Sequence, residues 1–149
     1  MSRALGAVKD QYDLIFIDCP PTLGILTINA LTAADTVLIS VVSNYLSLRG
    51  FQLLLRTSDL VQKRLNTQLT IAGIVATMFD RRTSHHTDVL QQLRQYFDGK
   101  IKGYDSIVPR SVRFEESPTD KMPMVRQPKD SPGAQAYRDL VAEVWDSVK

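Results

Sequence analysis

Three apolar runs punctuate the first half of the chain, and the residues between them change period. Leu14–Asp18 (LIFID) is four apolar residues closed by an aspartate, and Thr36–Val42 (TVLISVV) and Thr70–Met78 (TIAGIVATM) are runs of the same kind. None alternates cleanly between apolar and polar. Continuous apolar strands are what a parallel sheet covered on both faces requires. Between the runs the spacing becomes helical. Ile25–Ala34 is short and apolar, and Leu46–Leu65 places Leu54, Ser58, Val61 and Leu65 on one stripe. Thr87–Phe97 offers Val89, Leu93 and Tyr96, and Ala134–Val148 offers Tyr137, Leu140, Val144 and Val148. Ala4, Leu5 and Val8 mark the tail of a helix over residues 2–10, and Ser106–Val108 is a further short apolar stretch. Strands alternating with helices predict an α/β protein: a doubly wound, mostly parallel sheet flanked by helices.

Composition narrows this little. A length of 149 residues predicts a single domain over 1–149. The hydrophobic fraction of 44% and charged fraction of 23% are ordinary for a globular chain. Eighteen basic and sixteen acidic residues leave a net charge of +2, so binding to nucleic acid must come from local clustering. The single cysteine, Cys19, excludes an intrachain disulfide and a cysteine-based zinc cluster. The N-terminal residues lack the apolar core of a signal peptide, and no run approaches the ~18 apolar residues of a membrane span. The expectation is a cytoplasmic protein with no membrane role. Residues 117–133 hold four of the seven prolines without periodic apolar positions, which reads as a surface loop or a mobile lid.

The chemistry begins at Asp18. Open α/β sheets bind ligands outside the carboxyl ends of their strands. A carboxylate there wants a metal, a metal-held water or the donors of a following turn. Pro20 and Pro21 stop the strand and bias Cys19 toward an extended conformation, which aims the carboxylate. From strand and aspartate alone, a Walker B role and a simple turn cap are both open.

The longer string YDLIFIDCPPTLGILTINALTAADTVLI resembles the Walker B region of the ParA/MinD-type ATPases, the deviant P-loop family that partitions plasmids and chromosomes or positions division proteins. Three more segments are similar to the same family in the same order: GIVATMFDRRT, SIVPRSVRFEESP and GAQAYRDLVAEV. The ParA/Soj branch is the closer match, and the resemblance covers nearly the whole chain. It implies a partial P-loop NTPase-like fold equivalent to the C-terminal part of a ParA-like ATPase. It further implies ATP and Mg²⁺ as cofactors, and Asp18 as the catalytic carboxylate that holds the water shell of Mg²⁺. Pro20, Pro21 and Gly24 would form the switch-like turn after it. Met78, Phe79 and Pro109 would flank the adenine, with rim packing as the alternative.

Residues 81–113 are locally basic: Arg81, Arg82, Arg94, Lys100, Lys102, Arg110 and Arg113 against Asp88, Asp98 and Asp105, or +7 − 3 = +4. Family members bind DNA without sequence preference, a salt-sensitive mode that needs only phosphates. By resemblance Arg81, Arg82, Arg110 and Arg113 are the DNA candidates; a solvated charged face is the other reading. His85 and His86 are adjacent, so on a helix they point about 100° apart and cannot share a metal.

Two departures from the family matter. No G-x-x-x-x-G-K-[ST] occurs: the one Gly-Lys pair, Gly99-Lys100, has Arg94 where the first glycine belongs and Ile101 where the hydroxyl belongs. That loop's amides cradle the phosphates and its Ser/Thr binds Mg²⁺. Tight nucleotide binding by these residues alone is therefore not expected. Ser40 and Asn44 also stand where many ParA-like proteins have a proline and a glutamate, which puts the standard nucleotide-sandwiched dimer in doubt.

Two functions follow. One is a segment of a ParA-like ATPase that cycles on DNA under a ParB-like partner; the other is a non-catalytic module that keeps only a DNA or partner surface. The chain is either a fragment or a shortened paralogue. A third, an α/β hydrolase, needs a G-x-S-x-G elbow, and none is present. A parallel sheet missing its central P-loop strand exposes an apolar edge, which further predicts that the chain self-associates or rearranges its strands.

Overall fold

The backbone follows the predicted alternation, with one exception. In the computed structural model the described residues are 1–42, 45–80, 101–111, 114, 123–126 and 131–148. In chain order they form α1 (Ser2–Gly6), a 3-10 turn at Lys9–Gln11, α2 (Ile25–Ala33), β1 (Thr36–Val42) and α3 (Tyr45–Arg64). Then come β2 (Thr70–Phe79), β3 (Gly103–Pro109), a 3-10 turn at Met124–Arg126 and α4 (Pro132–Val148). The sheet order is β1-β2-β3, with β2 and β3 parallel. The helix expected at Thr87–Phe97 lies outside the described residues, as do Arg81, Arg82, His85, His86 and Arg113. The stretch expected at Ser106–Val108 extends to a seven-residue strand.

The exception is Leu14–Asp18, which is not a strand. No backbone N–H from Asp13 to Cys19 meets an acceptor among the described residues. Leu14, Ile15 and Phe16 are exposed, Phe16 to 82%. A strand exists only through the ladder it shares, so an apolar run without a neighbouring strand remains an unpaired segment.

The contacts divide the described chain into two units. The first comprises Met1–Val37 and Arg49–Ile71. Its core is Leu31, Val61 and Leu69, with Ile28, Ala34 and Val37 packed against them. On α3 the inward face is Phe51, Leu54, Ser58 and Val61, the predicted stripe shifted one turn toward the N-terminus. Leu65, expected on that stripe, lies beyond the end of α3 and is exposed. The last carbonyls of α2 have no helical partner, and Asn66 supplies one: its Nδ2 donates to Leu31 O at 3.0 Å and Ala34 O at 2.7 Å.

The second unit comprises Leu38–Leu48 and Ala72–Lys149. Here α4 packs on β3, and Val75, Tyr104, Val108 and Leu140 form the core with Phe114 and Val144 against it. Ser131 is the N-cap of α4, its Oγ 3.5 Å from the Ala134 amide, and Pro132 fills the first helical position. This places the start of α4 two residues before the predicted Ala134. A Cβ on Gly133 would lie 2.8 Å from Phe114 Cζ, so only glycine admits that ring. On β1, Ile39 and Val41 are buried while Leu38 and Ser40 are exposed. The continuous apolar spelling of β1 thus hides an alternation in burial.

Candidate functional site

Asp18 sits in the first unit, at the end of the unpaired apolar segment. Its side chain is exposed, as are Cys19, Pro20 and Pro21. The chain then turns sharply: the Thr22 amide donates to Pro20 O at 2.7 Å, and the Thr27 hydroxyl donates back to Thr22 O. Gly24 is the N-cap of α2, with Ile28 N–H reaching its carbonyl at 3.1 Å. An apolar run, a carboxylate, a proline-stiffened turn and a helix start therefore follow one another within fifteen residues, 14–28. Among the described residues no three metal-ligating side chains converge. For a divalent cation this segment offers one carboxylate, a donor suited to Mg²⁺, which keeps most of its waters and takes few protein oxygens. For the phosphates of a nucleotide the 149 residues contain no P-loop. Magnesium fits Asp18 as one partner of several; a complete phosphate cradle does not fit these residues.

The second unit brings together Met78, Phe79, Pro109 and Arg110. Phe79 pairs with Pro109 in the parallel ladder, and the Arg110 amide donates to Phe79 O at 2.9 Å. From Ala76 to Phe79 β2 advances three residues while β3 advances two, Ile107 to Pro109. The extra residue is accommodated by a bulge, and Met78 has a φ of 53°. Only glycine visits that region routinely. A methionine held there is a strained residue at a sheet rim. The bulge also sorts the two candidates: Met78 points out and is exposed, whereas Phe79 is buried. Pro109 is half-buried and Arg110 exposed. No sequence signal announced the bulge, because methionine has no preference for positive φ.

A second irregularity in β3 was equally silent in the sequence. Between Ile74 and Ala76 β2 advances two residues while β3 advances four, Gly103 to Ile107. The amides freed by this mismatch turn to Glu143 on α4. Asp105 N–H donates to Oε2 at 2.9 Å, Ser106 N–H to Oε1 at 2.9 Å, and the Ser106 hydroxyl also donates to Oε1. Burial pushes the Glu143 carboxyl up, but these hydrogen bonds and the nearby Lys102 charge outweigh it and hold it below its ordinary value of 4.5. Alongside, Tyr104 Oη donates to Ala72 O at 3.2 Å and lies 3.0 Å from Ser147 Oγ. Lys102 Nζ donates to the same Ser147 oxygen at 3.1 Å and stands 5.0 Å from the centre of the Tyr104 ring. Gly73 makes room for that ring: a Cβ there would be 2.7 Å from Lys102 O and from Tyr104 Cε2. Lys102, named above only as part of a basic stretch, is committed to this structural cluster.

Among the described residues no helix is long and apolar enough to cross a membrane.

Comparison with known proteins adds to this geometry. A family model described as an AAA domain matches residues 1–71. The sporulation initiation inhibitor protein Soj of Bacillus subtilis is 48% identical over 144 residues, 97% of this chain and 56% of that protein. The chromosome-partitioning ATPase Soj of Treponema pallidum is 42% identical with the same coverage. The chromosome partitioning protein ParA of Caulobacter vibrioides is 41% identical over 143 residues, 95% of this chain and 53% of that protein. The chain thus spans a little over half the length of the curated relatives it matches. Among solved structures, cobyrinic acid a,c-diamide synthase from Mycobacterium smegmatis superposes with a TM-score of 0.75 at 32% identity, over 99% of this chain and 54% of that one. It has also been solved with ADP and magnesium, and with an ATP analogue and magnesium. The cell division ATPase MinD of Pyrococcus furiosus, 20% identical, superposes with a TM-score of 0.73 over 97% of this chain and 56% of its own, a likeness of fold.

Proposed function

Because the chain belongs to the ParA/Soj family of partitioning ATPases, we propose that residues 1–149 carry the Walker B half of a nucleotide site and act in DNA segregation as the C-terminal part of one α/β domain. The observation that supports this most directly is the Asp18 segment. Its apolar residues are spelled as a buried strand, yet Leu14, Ile15 and Phe16 are exposed and their amides meet no acceptor among the described residues. Such a segment is complete only when another strand pairs with it.

In that complete site the bound Mg²⁺-nucleotide supplies the phosphoryl group and its charge-neutralising ion. Asp18 would hold a water of the metal's shell and help orient the attacking water. Pro20 and Pro21 would fix the direction of its carboxylate, and Met78, Phe79 and Pro109 would border the base. Of these three, Met78 offers the exposed side chain. Arg110, exposed at the end of β3, would contact DNA phosphates together with Arg81, Arg82 and Arg113. A ParB-like partner and association with the nucleoid belong to the same reading.

The test is to read the coding sequence upstream of the Met1 codon. An in-frame KGG-x-GK[ST] motif is the expected result. A stop codon or an unrelated upstream sequence would instead favour a non-catalytic DNA- or partner-binding module, with salt-dependent DNA binding by the purified chain as its signature.

A further inference from the structure

Glu143 occupies a site that β3 builds and α4 fills. Successive backbone amides aimed at one point form an anion-binding nest. Asp105 N–H and Ser106 N–H are such a pair, each 2.9 Å from a different carboxylate oxygen of Glu143. The Ser106 hydroxyl is a further donor to Oε1, and the Lys102 ammonium attracts the same charge. The nest lies where the parallel ladder lapses, β3 advancing four residues against two in β2. Every one of these donors belongs to residues 102–106, and none to the helix that supplies the occupant.

Other contacts hold the nest in shape. Gly103 and Ile107, on either side of it, pair with Ile74 and Ala76 of β2. The Ile74 amide donates to Lys102 O at 2.9 Å. Buried Tyr104 anchors the segment through its hydroxyl on Ala72 O. Glu143 takes no part in these contacts, and a receptor ordered by its own scaffold loses little when its occupant is exchanged. Glu143→Ala removes Cγ and the carboxylate, which are the atoms of an acetate ion. Asp105 is exposed and Ser106 half-buried, so the space left behind is open to solvent.

We propose that residues 102–106 form a receptor for a small carboxylate, that Glu143 is its tethered ligand, and that acetate takes the site when the tethered carboxylate is removed. In the wild type the tether gives Glu143 an effective concentration that dissolved carboxylates do not match, so the site is filled from within and α4 is latched to β3 through it.

The test titrates Glu143→Ala with sodium acetate up to about 0.5 M, against sodium chloride at equal ionic strength. The effect is read as the gain of Glu143→Ala over wild type when chloride is exchanged for acetate, which removes the general action of the salt on stability. A ligand of so few atoms binds at about 0.1 M, and at the top of the titration it should lower the unfolding constant of Glu143→Ala about sixfold. In amide NMR spectra the Asp105 and Ser106 signals of Glu143→Ala should move with acetate and saturate, and those of the wild type should stay. Adding Ser106→Ala should weaken the acetate effect, because it removes the hydroxyl donor. If Glu143→Ala is unfolded in dilute buffer, acetate should refold it, and Ser106→Ala should raise the concentration required. No gain of Glu143→Ala over wild type in acetate, or failure of acetate to refold an unfolded Glu143→Ala, overturns the proposal. So do equal amide shifts in the wild type, or an acetate effect indifferent to Ser106→Ala.

Discussion

Removing the Glu143 carboxylate tests whether one α4 side chain holds the irregular β3 in place. In the structure it accepts three hydrogen bonds, from the amides of Asp105 and Ser106 and from the Ser106 hydroxyl. Bonds to a charged acceptor are worth about 1.5–3 kcal/mol each when buried. The Asp105 end is exposed and Glu143 half-buried, so water replaces part of what is lost and about 1 kcal/mol per bond is the better figure. Alanine regains up to about 0.5 kcal/mol of helix propensity. Glu143→Ala should therefore cost about 2–3 kcal/mol in urea unfolding followed by far-UV circular dichroism, and Glu143→Gln, which keeps one acceptor oxygen, about half of that. The carboxyl is held below 4.5 in the folded chain. Its contribution is thus fully present above the unfolded value and is lost as pH falls through 4.5 toward the folded value. The gap in stability between wild type and Glu143→Gln should narrow across that window. A loss in Glu143→Ala smaller than about 0.5 kcal/mol at neutral pH, or a gap that does not narrow on acidification, would refute the reasoning.

Other substitutions probe the same elements. Gly73→Ala places a Cβ 2.7 Å from the Lys102 carbonyl at a φ of 156°, and should destabilise by about 2–3 kcal/mol in the same assay; an unchanged midpoint would mean that β3 yields freely. Met78→Gly removes the side-chain penalty of a φ of 53° and should raise stability by up to about 1 kcal/mol; a clear loss would show that the methionine side chain contributes packing there. Phe16→Asp should reduce self-association in size-exclusion chromatography with light scattering, because Phe16 is the most exposed apolar residue of the unpaired segment; unchanged high-mass species would place the association elsewhere.

Most of the helices and two of the paired strands were legible because their signals are local. Thr36–Val42 is bounded in the sequence as it is in the structure, and α2 and α3 differ from their predicted spans by one residue at an end or two. Leu14–Asp18 carried as strong a strand signal and did not form one, since a ladder needs a partner and apolar spelling records only the environment in which the strand is stable. β3 shows the reverse case. Its polar Asp105 and Ser106 hide a strand whose register is rescued by Glu143, thirty-eight and thirty-seven residues away. Asp18 and the turn after it could be read from the sequence because Asp-Cys-Pro-Pro is contiguous. The left-handed Met78 could not, because its strain arises from mismatched strand advance, a property of the pair.

The proposed function is a nucleotide site of which this chain would hold one part, and titration of the chain with a fluorescent ATP analogue and Mg²⁺ tests it most directly. Without the amide cradle that grips the phosphates, binding should be no tighter than about millimolar. Joined to an upstream segment bearing KGG-x-GK[ST], the same residues should bind in the micromolar range and hydrolyse ATP in a manner abolished by Asp18→Ala. Micromolar binding by residues 1–149 alone, or hydrolysis by the joined protein that is indifferent to Asp18→Ala, would contradict it.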